Sequence, residues 1–462
     1  MNTTDEALRP IAHIAPARGW INDPNAPIWA GGRYHIYYQY NPTAAEHRDI
    51  RWGHATSTDL VHWQEEPVAI EPSSEIDRDG IFSGTAVADG DTVVAYYSAF
   101  CRDRRFQPVM RAVSEDGGYS FGPAVQVVAE PDEVIGSVEY RDPFVWREGS
   151  TWRMLVGTQL ADHRGAALAY QSADGIEWSY DGVYASADAQ TIQIPWGVDS
   201  GSMWECPQHL LVDGTRALIA SAFRRGTEDM RAFGLIDQGT GDDFVIGGAA
   251  YLDQGPDFFA AYVFPAPDGR VLLWGWARDS LRVPSPITGW AGALAFPREL
   301  RLRADGQLGS WPLAELEQLR AGEARTVAAG EAAVPVPHAF ELRATVPLGA
   351  HPSTRITLDL GAEDGAIRII VDAANRAVTV DPEGGYSAAR IDLPALEEDE
   401  VELRWFVDGS ISEVFVSGGY VATHRFYAPH DPQWRVGIDG APDLQAEVWG
   451  LETGFNDRER HR

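Results

Sequence analysis

Three short motifs place an acidic side chain where it could do acid–base or nucleophilic chemistry. Asp23 lies in the segment W-I-N-D-P-N, Asp142 in R-D-P and Glu205 in W-E-C-P. Glu205 is flanked by Trp204 and Cys206, two residue types that tend to be buried, and an apolar setting favours the neutral carboxyl that a general acid requires. Taken singly, the first motif is typical of a turn and the second of a surface ion pair. The chemistry therefore depends on whether the fold brings the three acids together.

A repeat in the turn residues gives a reason to expect that the fold brings the three acids together. Five segments share one pattern, a β-prone run, a glycine turn and a second β-prone run, and their turns are 55–65 residues apart. A second series of turns, S-T-D, S-E-D and S-A-D, falls between the first ones. Two turns in each period of about 60 residues predict four strands per unit, and five such units favour a five-bladed β-propeller over a β-sandwich. The turn glycines are Gly31, Gly90, Gly149, Gly214 and Gly269.

Residues able to do chemistry occupy a similar place in each unit. Asp23, Asp142 and Glu205 lie 8, 7 and 9 residues before the turn glycine of their units. Ser83 lies 7 residues and Asp257 lies 12 residues before theirs. If the first strand of every blade lines the central channel, these residues converge at one mouth of it. The three acids are therefore predicted to form one site, although 182 residues separate the first from the last.

The pattern changes after the repeats. A P-L-A-E-L-E-Q-L-R segment at 312–320 has helical spacing and helix-forming residues, and it predicts a short connecting helix. From about residue 334, short alternating strands are separated by D-G and G-G turns, which is typical of a β-sandwich. We therefore predict an all-β protein with a five-bladed β-propeller at 1–310, a linker with a short helix at 311–333 and a C-terminal β-sandwich at 334–462.

Composition and charge exclude several classes of function. The chain has 462 residues, enough for two or three domains, and its 44% hydrophobic and 23% charged residues are ordinary for a globular protein. No apolar run approaches the roughly 18 residues of a membrane span. A net charge of −31 repels phosphate backbones and argues against a nucleic-acid partner. With 37 arginines and no lysine, the chain has neither a Schiff-base lysine nor a P-loop.

The cysteines, histidines and aromatic residues bear on the compartment, on metal binding and on the kind of ligand. Cys101 and Cys206 cannot by themselves form a disulfide scaffold or a zinc site, and two thiols fit a reducing compartment. The N-terminus lacks the apolar segment of a signal peptide, which favours a cytoplasmic location unless a leader has been removed. The histidines are scattered along the sequence, so no metal site is expected. The 16 Trp, 16 Tyr and 17 Phe suit a β-rich core, and their faces also suit sugar binding.

Together the three motifs resemble those of glycoside hydrolase family 32, the β-fructofuranosidases, which include invertases, inulinases, levanases and sucrose-6-phosphate hydrolases. The resemblance covers almost the whole chain in order, and it implies a five-bladed β-propeller followed by a C-terminal β-sandwich. One departure is Ala26-Pro27, where the family usually has glycine after N-D-P-N. The further matching segments are Y-Q-Y-N-P at 38–42, W-G-H-A at 52–55, D-L-V-H-W at 59–63, F-S-G-T at 82–85, W-G-W at 274–276 and F-V-D-G-S at 406–410.

The resemblance implies a role for each acid. Asp23 corresponds to the nucleophile, Glu205 to the general acid/base and Asp142 to a transition-state stabiliser that holds sugar hydroxyls. Cleavage with retention needs one ionised and one protonated carboxyl about 5–5.5 Å apart, and we expect no cofactor. For Trp276, core packing is an equally good interpretation. The residues implied to line the fructose pocket are Asn22, Gln39, Trp52, Phe82, Ser83, Arg141 and Trp276.

The predicted function is that of a retaining glycosidase that releases terminal non-reducing β-D-fructofuranosyl residues from sucrose and fructo-oligosaccharides through a fructosyl-enzyme. A fructan-degrading exo-enzyme and a fructosyltransferase of the same family are close alternatives, because a sugar hydroxyl can intercept the intermediate. A non-catalytic sugar-binding propeller is a remote alternative, because it needs no acids. The basic C-R-D-R-R segment at 101–105 could contact an extended or phosphorylated substrate, although we favour an ordinary exposed loop. The expected partner is the fructoside, and the oligomeric state stays open.

Overall fold

Strands make up nearly all of the regular structure in the computed structural model of the chain. None of the helical turns in the described part of the chain has the length and hydrophobicity of a membrane span. The structure describes residues 8–90, 92–131, 135–187, 193–194, 197–224, 226, 230–279, 289–349, 351–361, 365–393, 399–428 and 433–457.

The first part of the chain folds into five antiparallel sheets, blades I to V, each of which runs outward from its first strand. The strands are β1 (Gly19–Ala30), β2 (Arg33–Asn41), β3 (Arg51–Ser57) and β4 (Trp63–Ile70) in blade I; β5 (Gly80–Asp89), β6 (Thr92–Phe100), β7 (Val109–Ser114) and β8 (Val125–Val128) in blade II; β9 (Glu139–Glu148), β10 (Thr151–Gln159), β11 (Gly165–Ser172) and β12 (Ser179–Ser186) in blade III; the separate hairpin β13 (Gln193–Ile194) and β14 (Val198–Asp199); β15 (Met203–Val212), β16 (Thr215–Phe223), β17 (Arg231–Asp237) and β18 (Ile246–Tyr251) in blade IV; and β19 (Phe258–Pro265), β20 (Val271–Ala277), β21 (Trp290–Ala291), β22 (Ala293–Leu294), β23 (Arg298–Leu302) and β24 (Leu308–Pro312) in and beside blade V.

The five blades form a closed ring, which confirms the predicted propeller. The first strand of each blade contacts the first strand of the next, and β19 contacts β1. The chain also joins the two ends of the ring, because β21 pairs in parallel with the start of β1. All five predicted glycine turns connect the first and second strands of a blade, and the three Ser-x-Asp turns follow the third strands of blades I to III. In those turns the serine hydroxyl accepts the aspartate N–H at 3.1–3.4 Å.

A β-bulge interrupts the first strand of every blade near its start. A bulge bends its strand and re-aims the adjacent side chains, and bulges are frequent next to active sites. The predicted common position is confirmed for the three acids and Ser83, which lie in a bulge or directly before one. It is wrong for Asp257, which precedes its strand and accepts the backbone N–H of Arg425 at 2.7 Å. The bulged pairs are Asn22-Asp23, Phe82-Ser83, Asp142-Pro143, Cys206-Pro207 and Ala260-Ala261.

The second part of the chain is a sandwich of two six-stranded sheets, with strand orders β25-β36-β27-β32-β33-β34 and β26-β35-β28-β29-β30-β31. Apolar side chains from both sheets share one core. The last strand, β37, leaves the sandwich and pairs with β4 of blade I. The bounds are β25 (Arg320–Ala328), β26 (Val334–Pro335), β27 (Ala339–Pro347), β28 (Ser353–Gly361), β29 (Gly365–Asp372), β30 (Ala377–Pro382), β31 (Ala389–Asp392), β32 (Glu400–Asp408), β33 (Ile411–Val416), β34 (Tyr420–Arg425), β35 (Arg435–Asp439), β36 (Gln445–Leu451) and β37 (Phe455–Asn456).

The connection between the two parts differs from the predicted linker at 311–333. Its helical portion is a 3₁₀ helix, Ala314–Leu319, which buries Leu316 and Leu319. Directly after it, β25 already pairs with β36 of the sandwich. Because most residues of β25 are exposed, its sequence lacks the alternation of apolar and polar residues that reveals a half-buried strand.

Buried charges hold the sandwich against the propeller. The Arg298 guanidinium, at the start of β23 in blade V, contacts the Asp253 carboxylate at 2.8 Å and the Glu413 carboxylate of the sandwich at 3.0 Å. His13 in the N-terminal segment contacts the Asp408 carboxylate at 2.8 Å and the Glu413 carboxylate at 3.2 Å. Burial alone lowers the pKa of His13, but hydrogen bonds and charges from Asp408 and Glu413 outweigh it and raise the pKa. Opposite charges therefore compensate one another where water is excluded.

Replacing Glu413 by glutamine should destabilise the whole protein. The variant keeps the side-chain volume but leaves Arg298 and His13 facing one carboxylate each. Removing one partner of a buried ion pair typically costs about 3–5 kcal/mol, because the other charge stays buried. The free energy of unfolding can be measured by urea denaturation followed by tryptophan fluorescence.

The matched control is Asp392→Asn, which breaks the exposed Arg390–Asp392 pair. Exposed pairs contribute about 0–1 kcal/mol. If both variants lost the same small free energy, the buried charges would not be what joins the two parts.

Candidate active site

Asp23 lies in the bulge of β1 with three side-chain donors on its carboxylate. Oδ2 accepts the Ser83 hydroxyl at 2.6 Å and the Gln39 amide at 3.0 Å. Oδ1 accepts the Asn22 amide at 3.0 Å. Burial and the nearby charge of Glu205 raise the pKa of Asp23 to about 6, although the Ser83 and Asn22 donors lower it. The carboxylate is thus oriented at both oxygens by neighbouring strands.

Further hydrogen bonds hold these donors in place. The Trp20 indole N–H donates to Asn22 Oδ1 at 2.7 Å, and the Gln39 amide also donates to the Ser83 hydroxyl at 2.7 Å. His47 Nε2 lies 3.0 Å from Gln39 Oε1 and orients that amide. Sequence reasoning missed His47, because it lies in the 42–50 loop outside every motif.

Asp142 lies in the bulge of β9 and faces blade IV. Its Oδ2 accepts the backbone N–H of Cys206 at 3.2 Å, which links the two blades. Burial, together with the charges of Glu205 and Asp23, raises the pKa of Asp142 to about 7, although the Arg141 charge and the Cys206 N–H lower it. All three acids therefore lie within electrostatic reach of one another, as the repeat predicts.

A glycine lets blades III and IV approach closely enough for this link. Gly157 lies in β10, directly beside the bulge of β9. A methyl group on Gly157 would overlap the carbonyl oxygen of Trp204 in blade IV. No other residue would permit that contact without displacing one blade, and such a displacement would separate Asp142 from Cys206.

Glu205 is paired with Arg141, which differs from the apolar setting that the sequence predicts. Arg141 donates to Glu205 Oε1 from Nε at 3.0 Å and from a terminal nitrogen at 2.6 Å. Its other terminal nitrogen donates to Glu139 at 2.8 Å. Trp204 is buried in the core shared by blades III and IV, because neighbouring residues of a strand point to opposite faces. Trp204 therefore packs between the blades and does not enclose the Glu205 carboxyl.

The predicted aromatic residues fall into two groups. Phe82 and Trp276 are half-buried beside the acids; Phe82 stacks on Phe100 at 4.5 Å, and Trp276 contacts the Trp20 ring at 5.8 Å. Trp52 has no exposed surface, and its indole N–H donates to the carbonyl oxygen of Phe82 at 3.0 Å. Trp52 thus supports Phe82, and its direct contact with a sugar stays a prediction.

The arrangement can perform acid–base and nucleophilic chemistry. Three carboxyl groups share one cation, Arg141, and two of them have pKa values raised towards neutrality. Carboxyls in such a setting can carry a proton or give one up near neutral pH. In the described part of the chain, no group of three or more His, Cys, Asp or Glu side chains is placed to hold a metal ion.

Comparisons with known proteins agree with this geometry. Residues 13–312 match the model of the glycosyl hydrolases family 32 N-terminal domain, and residues 315–439 match the family 32 C-terminal model. Sucrose-6-phosphate hydrolase of Escherichia coli is 31% identical over 90% of this chain and 89% of that protein. Raffinose invertase of Escherichia coli is 33% identical over 91% and 90%. A GH32 β-fructofuranosidase from Bombyx mori superposes with a TM-score of 0.83 at 25% identity, over 97% of this chain and 95% of that chain. The chain therefore belongs to glycoside hydrolase family 32 and is a glycoside hydrolase.

Proposed function

We propose that the chain is a retaining β-fructofuranosidase that hydrolyses sucrose and short fructo-oligosaccharides. The observation that supports this proposal is that Asp23 and Asp142 lie close enough to Glu205 for its charge to raise the pKa of both. The names of the relatives support sucrose or its phosphate ester as the substrate. The cytoplasmic location expected from the sequence stays a prediction.

In the first step Glu205 protonates the glycosidic oxygen while Asp23 attacks the anomeric carbon of the fructosyl unit. The bond to the leaving sugar breaks, and a covalent fructosyl-enzyme forms on Asp23. As a general acid Glu205 must carry a proton when it meets the glycosidic oxygen. Asn22, Gln39 and Ser83 hold the nucleophile at both oxygens, which keeps it aligned for attack.

In the second step Glu205 acts as a base. It removes a proton from water, and the resulting hydroxide displaces Asp23 from the anomeric carbon. Asp142, held by the Cys206 N–H, accepts hydrogen bonds from sugar hydroxyls that strengthen as positive charge develops on the ring. A sugar hydroxyl in place of water would give transfer instead of hydrolysis.

The test is to incubate the protein separately with sucrose, 1-kestose, inulin and levan, and to identify the products by chromatography. We expect fructose and glucose from sucrose, with slower cleavage of the polymers. Added methanol should trap the intermediate as methyl β-D-fructofuranoside, because two displacements retain configuration. An α-anomeric methyl product, or no cleavage of any of the four, would contradict the proposal.

The roles of the two reacting acids predict opposite responses to the leaving group. Glu205→Gln keeps the shape but cannot donate a proton, so kcat on sucrose should fall by a factor on the order of 10²–10⁴. The loss should shrink on an activated aryl β-fructofuranoside, whose leaving group needs little protonation. Asp23→Asn should be inactive on both substrates, because the nucleophile is needed whatever leaves.

Glu139→Gln is the matched control, since Glu139 also accepts a hydrogen bond from Arg141. Its effect should be small and equal on both substrates. Rescue of Asp23→Asn by the activated substrate, with none for Glu205→Gln, would reverse the two assignments.

Ser83→Ala should shift the pH dependence of the reaction. The Ser83 hydroxyl stabilises ionised Asp23 and so lowers its pKa, but burial and the charge of Glu205 outweigh this effect and leave the pKa raised to about 6. Because the nucleophile must be ionised, activity falls as the pH drops through this pKa. Without the hydroxyl the pKa rises, so the acid limb of kcat/KM should move to higher pH.

The measurement is kcat/KM on sucrose from about pH 4.5 to 8. Ser114→Ala, which removes a hydroxyl from a turn of blade II, should leave the limb in place. If the acid limb of the kcat/KM profile stayed at the same pH or moved to lower pH in Ser83→Ala, the hydroxyl would not stabilise ionised Asp23.

A further inference from the structure

Gln208 joins the bulges of two neighbouring blades through its side-chain amide. It lies in β15 directly after the bulged pair Cys206-Pro207 of blade IV, and it is fully buried. Its Nε2 donates to the carbonyl oxygen of Ala261 in the bulge of blade V at 2.6 Å, and its Oε1 accepts the N–H of Val263 at 2.8 Å. The side chain therefore pairs with β19 as a peptide group of a neighbouring strand would.

The same amide also holds the backbone directly after Glu205. Gln208 Nε2 donates to the carbonyl oxygen of Cys206 at 3.2 Å, and the Cys206 N–H donates to Asp142 of blade III at 3.2 Å. Cys206 has a φ of 48°, a left-handed conformation that residues with a side chain rarely adopt unless their surroundings fix it. Hydrogen bonds on both sides of Cys206 therefore fix the bend of the bulge that aims Glu205.

The other four blades have no amide side chain at the position of Gln208. The first residue after the bulge is Pro24 in blade I, Gly84 in blade II, Phe144 in blade III and Tyr262 in blade V. The propeller therefore closes at its other junctions without such an amide. What sets blade IV apart is that it carries Glu205, the acid that must donate a proton.

The two reacting acids are held in different ways. Three side-chain donors on β1, β2 and β5 orient the Asp23 carboxylate at both of its oxygens. The Glu205 carboxyl contacts Arg141, which divides its donors between Glu205 and Glu139. The aim of Glu205 therefore depends more on the bend of its own backbone than the aim of Asp23 does.

We propose that Gln208 is a positioning residue for Glu205 as the acid of the first step. The inference rests on the proposed function and adds to it a buried residue that acts through the backbone. By fixing the bulge of β15 against β19, the amide keeps the Glu205 carboxyl within reach of the glycosidic oxygen. Loss of the amide should therefore impair proton donation and leave the nucleophile Asp23 in place.

The experiment measures kcat on sucrose and on an activated aryl β-fructofuranoside for the native protein and two variants. Gln208→Met keeps the length of the side chain without its amide, and Gln208→Asn keeps an amide that is too short to reach β19. In both variants the ratio of kcat on sucrose to kcat on the aryl substrate should fall by a factor on the order of ten to a hundred, because sucrose needs a well-placed proton donor. This ratio does not depend on the folded fraction, so a partly unfolded variant still gives a result.

Ser310→Ala is the matched control, because it also removes a buried hydrogen bond between blades IV and V. The Ser310 hydroxyl, on the outer strand β24, donates to the carbonyl oxygen of Leu252 at 3.2 Å. This variant should leave the ratio unchanged. An unchanged ratio in both Gln208 variants would overturn the proposal, because a residue that only joins the blades affects both substrates equally. Failure of the native protein to cleave either substrate would instead overturn the proposed function.

Discussion

Closure of the propeller ring is the constraint on which the site depends. The acids come from blades I, III and IV, and they meet because the first strand of every blade contacts its neighbours and β19 contacts β1. The parallel pairing of β21 with β1 fastens the last blade to the first. It also brings Trp276 of blade V against Trp20, whose indole orients Asn22 beside the nucleophile. If the ring were open, the acids of blades I, III and IV would therefore lie apart.

The protein buries charge in two places and balances it differently in each. At the interface with the sandwich, Arg298 contacts a carboxylate from each part of the chain, and His13 contacts two carboxylates of the sandwich. Such buried pairing suits a permanent contact. In the site, Arg141 pairs with Glu205 and Glu139 and lies near Asp142, and burial raises the pKa values of Asp23 and Asp142. An excess of carboxyl groups keeps a proton available near neutral pH, which acid–base catalysis requires.

Much of the fold is readable from the sequence because turns have strict residue requirements. Glycine turns and Ser-x-Asp turns recur at the same places in successive blades, and the structure has them where the repeat predicts. The position of Ala26 is an instructive case, since its φ of 45° lies in the region that favours glycine, the residue usual there in the family. Strand β25 escaped prediction, because its residues are mostly exposed and carry no alternating pattern.

The sequence by itself determined the number of blades and the all-β class, and it singled out the three acids as candidates, because each depends on local residue types or their spacing. Only the tertiary structure decided how those acids are partnered. The pairing of Arg141 with Glu205, the support of Gln39 by His47 and the use of Asp257 at the sandwich join residues from different loops or blades. Such contacts are set by the bend of each bulge and by the closeness of neighbouring blades, and neither leaves a signature in the local sequence.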